Sequence, residues 1–154
     1  MFRAKAGAMK TNSTTSMSSL RADHEVLVTL TNNVLAIIVD ADRKKMQRAI
    51  SVLQATVAAH LNDEERELIP RYAKYAPQDA ACIMEEHAGI RKALAGLDIE
   101  TDLHLLRADA MHTFLAALQA HAAREDAGMY CWASAAPPIL RLPSEPTAEQ
   151  GDRS

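Results

Sequence analysis

Apolar residues recur along this chain at the three- and four-residue spacing of one helix face, in four successive stretches. The first stripe is Leu20, His24, Leu27, Thr31, Leu35 and Ile38. It predicts a helix that starts at Ser18 or Ser19, either able to cap it, and ends near residues 40–42. The second stripe is Met46, Ile50, Leu53, Val57, His60, Glu64 and Leu68, inside a helix from about Arg43 to Lys74. Pro70 removes a helical donor there and should kink or end it. The third, Ile83, His87, Ile90, Leu94 and Leu97, opens at Pro77-Gln78-Asp79 and is expected to stop at Gly96 and Asp98. The fourth, Met111, Phe114, Leu118, His121, Glu125 and Trp132, is expected to run from Thr101 or Asp102 to Ala133, before Pro137 and Pro138 forbid continuation.

Four amphipathic helices with short connections predict an all-α fold, an up-down-up-down antiparallel four-helix bundle over residues 17–133. Residues 1–16 are polar and read as a disordered lead-in. Residues 134–154 hold four prolines and few apolar residues, and read as a flexible Pro-rich tail.

Composition narrows the picture further. The 154 residues suffice for one domain with a core, and only five glycines favour helix over sheet. A net charge of −3 with dispersed Lys and Arg leaves no footprint for nucleic acid or a membrane surface. Cys82 and Cys131 form no C-x-x-C and read as reduced thiols, so a cytoplasmic location is expected. No apolar run approaches the ~20 residues of a membrane span. Arg3, Lys5 and Lys10 among Ser and Thr resemble a transit peptide in composition only. No nicotinamide or flavin motif is present, so the electron donor is left unassigned.

The chemistry lies in the polar residues that interrupt the apolar stripes. His60 and Glu64, and again His121 and Glu125, stand one helical turn apart and point the same way, into the core line. His24 and His87 sit singly on the other two stripes. A carboxylate in a core line needs a cation or strong hydrogen bonds. A single core histidine is usually just hydrogen-bonded, but four stripes interrupted at bundle spacing point to metal. Antiparallel helices would bring all six groups to one level, near the bundle middle. Four imidazoles and two carboxylates suit two iron ions, each with two histidines and both glutamates bridging, completed by an oxo or hydroxo group. That leaves an open position on each ion, and makes the two nearly equivalent. Zinc suits this set less well. Asp63 and Asp126 adjoin the proposed ligands and compete with them. Asp23 and Glu86, each preceding a stripe histidine, are candidates to hold its second ring nitrogen. Otherwise Glu65, Glu67, Glu85 and Glu86 are expected on the solvated face, as are His104 and His112.

At Asp23-His24-x-x-Leu27, His60-x-x-x-Glu64, Glu86-His87 and His121-x-x-x-Glu125 the chain resembles the hemerythrin HHE cation-binding family, over about residues 18–133. The resemblance implies a non-haem di-iron centre in a four-helix bundle. Dioxygen carriers of that family have a fifth histidine four residues from the one on the third helix; here those positions are Ile83 and Arg91. They also use an aspartate five residues after the fourth-helix histidine, a spacing that Asp126 meets. The four-His, two-Glu set resembles proteins that repair iron–sulfur clusters after nitric oxide or oxidative stress, although their N-terminal cysteine-bearing domain is missing. The implied ligand is nitric oxide, dioxygen or peroxide. The runner-up is a non-enzymatic iron or oxygen sensor, carrier or store.

Overall fold

The computed structural model describes residues 17–40 and 42–135. The expected lead-in at 1–16, and the tail from 136 onward, lie outside the described residues. Helices α1 (Met17–Asp40), α2 (Arg43–Glu67), α3 (Ile69–Tyr72), α4 (Pro77–Asp102), α5 (Ala108–Ala127) and α6 (Met129–Ala135) follow in order. The four long ones, α1, α2, α4 and α5, pack as a four-helix bundle in which each touches the next and α5 closes back on α1.

Two apolar clusters fix the topology. One contains Leu27, Val34, Ile50, Leu53, Val57, Leu61, Ile90, Leu94, Met111, Phe114 and Leu118. The other contains Leu20, Leu68, Ile69, Tyr72, Ile83, Met129 and Tyr130. Along α1 and α4 the chain passes from the second cluster to the first; along α2 and α5 it passes from the first to the second. Alternate helices therefore run in opposite directions, the up-down-up-down order read from the stripes. His24, Glu64, His87 and His121 fall at the changeover on their helices. The polar layer is thus sandwiched between the clusters, nearer one end of the bundle than its middle, and α3 and α6 cover that end.

Element boundaries depart from the stripes in physically clear ways. The second helix ends at Glu67, and Pro70 sits in the first turn of the one-turn α3, where its missing N–H costs nothing. Asp42 caps α2, its carboxylate accepting from the Lys45 N–H at 3.0 Å. Helix α4 does not stop at Gly96 but continues to Asp102, because Leu97 and Thr101 extend its buried stripe. Burial there outweighs the ~1 kcal/mol that a helical glycine costs. It is closed off instead by His104, whose φ of 60° is the sole positive value among the described non-glycine residues. His104 N–H donates to Thr101 O at 3.1 Å and Leu105 N–H to Glu100 O at 2.7 Å, the paired closure of a left-handed C-terminal turn. The fourth helix accordingly starts at Ala108 rather than at 101–102.

That helix breaks at Gly128 before α6 begins. A Cβ at Gly128 would lie 3.0 Å from Asp79 Oδ2 and 3.1 Å from the Tyr72 hydroxyl. The glycine lets the end of α5 approach α3 and the start of α4. Helix α1 corrects one expectation: with few charges and a mean hydropathy of 1.2, Met17–Val39 is long and apolar enough to cross a membrane, by length and composition alone. Its few charges interrupt the apolar run but leave the average this high. In the bundle it buries Leu20, Leu27, Thr31 and Val34.

Candidate metal centre

The six stripe residues converge. His60, Glu64, His87, His121 and Glu125 are buried, and the His24 side chain is only 10% exposed. They form two overlapping groups of four: His24, His60, Glu64 and Glu125; and Glu64, His87, His121 and Glu125. Within each group one donor atom from every residue lies within 4.8 Å of the others. The two carboxylates belong to both groups.

The donor atoms crowd without bonding one another well. Nε2 of His24 is 3.0 Å from Oε2 of Glu125, yet neither atom makes a directional hydrogen bond. The same holds for both ring nitrogens of His60, for Nε2 of His121 and for Oε2 of Glu64. Buried polar atoms are rarely left so. Atoms that converge on a shared space, rather than on each other, are what a cation-binding site requires, and the N/O donor set suits iron-like ions. The residues fit the group that the stripes imply.

Charged neighbours orient the histidines from outside. Nδ1 of His87 donates to Oε1 of Glu65 at 2.8 Å. Arg91 clamps that carboxylate through both of its terminal nitrogens, at 2.6 and 3.1 Å. Nδ1 of His121 donates to Oε2 of Glu86 at 3.0 Å, and Arg124 holds the other oxygen at 2.6 Å. Nδ1 of His60 lies 3.5 Å from Oδ2 of Asp23, a charge contact without hydrogen-bond geometry. Nδ1 of His24 has no hydrogen-bond partner. The two groups are therefore not equivalent: one has both imidazoles tethered, the other has neither.

This arrangement shifts protonation. Burial alone would lower the His87 pKa, but its hydrogen bonds to Glu125 and Glu65 and the Glu64 carboxylate beside it outweigh burial and raise the pKa to about 9. Burial would raise Glu125, but the close His24 imidazole and the hydrogen bond from His87 bring it down to about 2. His60 is lowered, because burial outweighs its carboxylate neighbours. His24 is raised, the Glu125 carboxylate overcoming its burial.

Several expectations change at this site. Glu65 and Glu86 do not decorate a solvated face; both hold imidazoles. Asp23 and Glu86 do not serve the histidines that follow them in the chain but those on the facing helices. Asp63 pairs with Arg66 at 2.7 Å, and Asp126, 53% exposed, with Arg21 at 3.3 Å, so neither reaches the polar layer. Ile83 is buried in the end cluster, and Arg91 is engaged with Glu65. His112 is exposed, as its position predicts.

Tyr130 was not visible in the stripes. It is fully buried, donates its hydroxyl to Oε1 of Glu64, and stacks on His24 with ring centroids 5.5 Å apart. Burial, reinforced by the Glu64 and Glu125 carboxylates, pushes its phenol pKa up.

An all-helical bundle enclosing a shared His/Glu cluster is a metal-binding four-helix architecture. The sequence profile of the hemerythrin HHE cation-binding domain matches residues 15–133, and the chain belongs to that family. No match was found among curated proteins or among solved structures.

Proposed function

We propose that this chain holds two iron ions and uses them to bind or react with nitric oxide, dioxygen or peroxide, in the response to oxidative or nitrosative stress or the repair of iron centres. The observation that carries this reading is the pair of four-residue groups sharing Glu64 and Glu125. His24 and His60 would hold one ion, His87 and His121 the other, and the two glutamates both. Iron so held supplies Lewis acidity and one-electron chemistry to a small ligand. The protein's own part is to hold the imidazoles of His87 and His121 in one tautomer through Glu65 and Glu86, and to exclude bulk water with the two apolar clusters.

A second reading has its own support. Buried donor atoms without partners make the metal-free layer costly, so occupancy would set the stability of the whole bundle. That is the behaviour of an iron-dependent sensor or store.

Metal analysis after anaerobic reconstitution with ferrous iron tests the first step; close to two irons per chain is expected. One tightly bound zinc with no iron uptake would overturn it. Mixing the reduced protein with dioxygen, peroxide or nitric oxide then separates the readings. Rapid oxidation or a nitrosyl spectrum supports a reactive centre, and inertness toward all three supports the sensor or store.

A further inference from the structure

Glu64 and Glu125 look interchangeable in the sequence, but their oxygens are not used alike. Oε2 of Glu125 faces His24 at 3.0 Å. Its Oε1 faces His121 at 3.2 Å and His87 at 3.4 Å. Each oxygen of Glu125 thus serves a different group of four. In Glu64, Oε2 alone faces both groups, 3.5 Å from Nε2 of His60 and 3.4 Å from Nε2 of His87. Its Oε1 is occupied by the hydroxyl of Tyr130.

We infer that Tyr130 is a positioning residue of the metal centre, which ties up one oxygen of Glu64 so that this carboxylate presents a single oxygen to both metal positions. A carboxylate can only accept, so the phenol is the donor and stays protonated. Three features hold Tyr130 in that role. Gly128 breaks the helix between Glu125 and Tyr130, and so allows α6 to turn back over the layer. The ring lies nearly parallel to His24, with 26° between the planes. The guanidinium of Arg21 covers it from outside at 5.6 Å. The phenol also closes the end of the layer beside the untethered His24, so the two metal positions differ in ligands as well as in surroundings.

The inference rests on the two-metal reading, and cobalt(II) titration of the full chain under anaerobic conditions separates the two. No cobalt uptake would sink the two-metal reading itself. With uptake, the unaltered protein should bind two ions in two unequal steps with distinguishable visible spectra, and two identical steps would overturn the inference. Tyr130→Phe keeps the ring and its stacking but removes the donor. Its metal-free form should keep the wild-type circular dichroism spectrum. Its cobalt affinity should fall ~10-fold, as for other groups that orient a ligand, and its cobalt bands should shift because Glu64 is free to turn. Superimposable cobalt spectra and affinities would show that Tyr130 is packing only. In the ferric wild-type protein, an intense phenolate-to-iron band, absent from Tyr130→Phe, would make Tyr130 a ligand and equally overturn the inference.

Discussion

Glu86 stands next to His87 in the chain, yet its Oε2 accepts a hydrogen bond from Nδ1 of His121 on the facing helix, 3.0 Å away. Helix geometry requires this. Neighbours in sequence point about 100° apart, so when His87 faces the bundle axis Glu86 faces an adjacent helix. Arg124, three residues after His121, completes the contact from α5. The pair cross-links α4 and α5 at the level of the site and fixes which ring nitrogen of His121 faces inward. Glu86→Gln should therefore lower metal affinity ~10–100-fold, with little change in the melting of the metal-free protein. Competition with a chelator measures it; an unchanged affinity would reduce the contact to a surface pair.

The same reasoning separates Glu125 from Asp126. Glu125 is buried with both oxygens toward imidazoles, whereas Asp126 makes one exposed pair with Arg21. Such pairs contribute ~0–1 kcal/mol. Glu125→Ala or Glu64→Ala should abolish binding of at least one of two irons, while Asp126→Ala and Glu67→Ala should leave two per chain. Iron loss in Asp126→Ala alone would mean that the aspartate used by the dioxygen carriers is the ligand here.

The six converging residues were legible because each interrupts an apolar stripe, and a stripe is a property of its own helix. Glu65 and Arg91 were not legible, and Glu86 was matched to the wrong histidine, for the complementary reason. They lie off the stripes, and what they do depends on which helix packs beside them. Tyr130 was hidden by the break at Gly128, since an unbroken helix would carry it away from the face that holds Glu125. The end of α4 was misplaced because Gly96 was weighed by its local propensity, while Leu97 and Thr101 were already extending the buried face. Locally determined features could be read along the chain, but those set by packing between helices could not.

His104 gives a test of that misplaced end. A non-glycine residue in the left-handed region costs about 1 kcal/mol. The side chain recovers little, with one Nδ1 contact to Thr101 O at 3.2 Å on the protein surface. His104→Gly should raise stability by about 1 kcal/mol and leave metal content untouched. A lower denaturation midpoint would show that the imidazole is needed to close the turn.

The pH dependence of the metal-free protein follows from His87. Its folded pKa of about 9 lies above the ordinary histidine value, so the folded state binds this proton more tightly than the unfolded chain does. The stabilisation is fully present below about pH 6.5, the unfolded value, and is lost as pH rises through 9. The raised His24 acts in the same direction. Glu125, lowered to about 2, contributes stability above its unfolded value near 4.3 and loses it only in strong acid. Metal requires neutral imidazoles, so binding at neutral pH must expel the His87 proton, and affinity should climb with pH over the same interval. The melting temperature of the metal-free protein should therefore fall between pH 6.5 and 9, while the gap between loaded and metal-free protein widens. Thermal melts of both forms across that range test this. A metal-free melting temperature that rises toward pH 9 would mean that His87 is neutral in the folded protein and that its carboxylate contacts do not hold a proton.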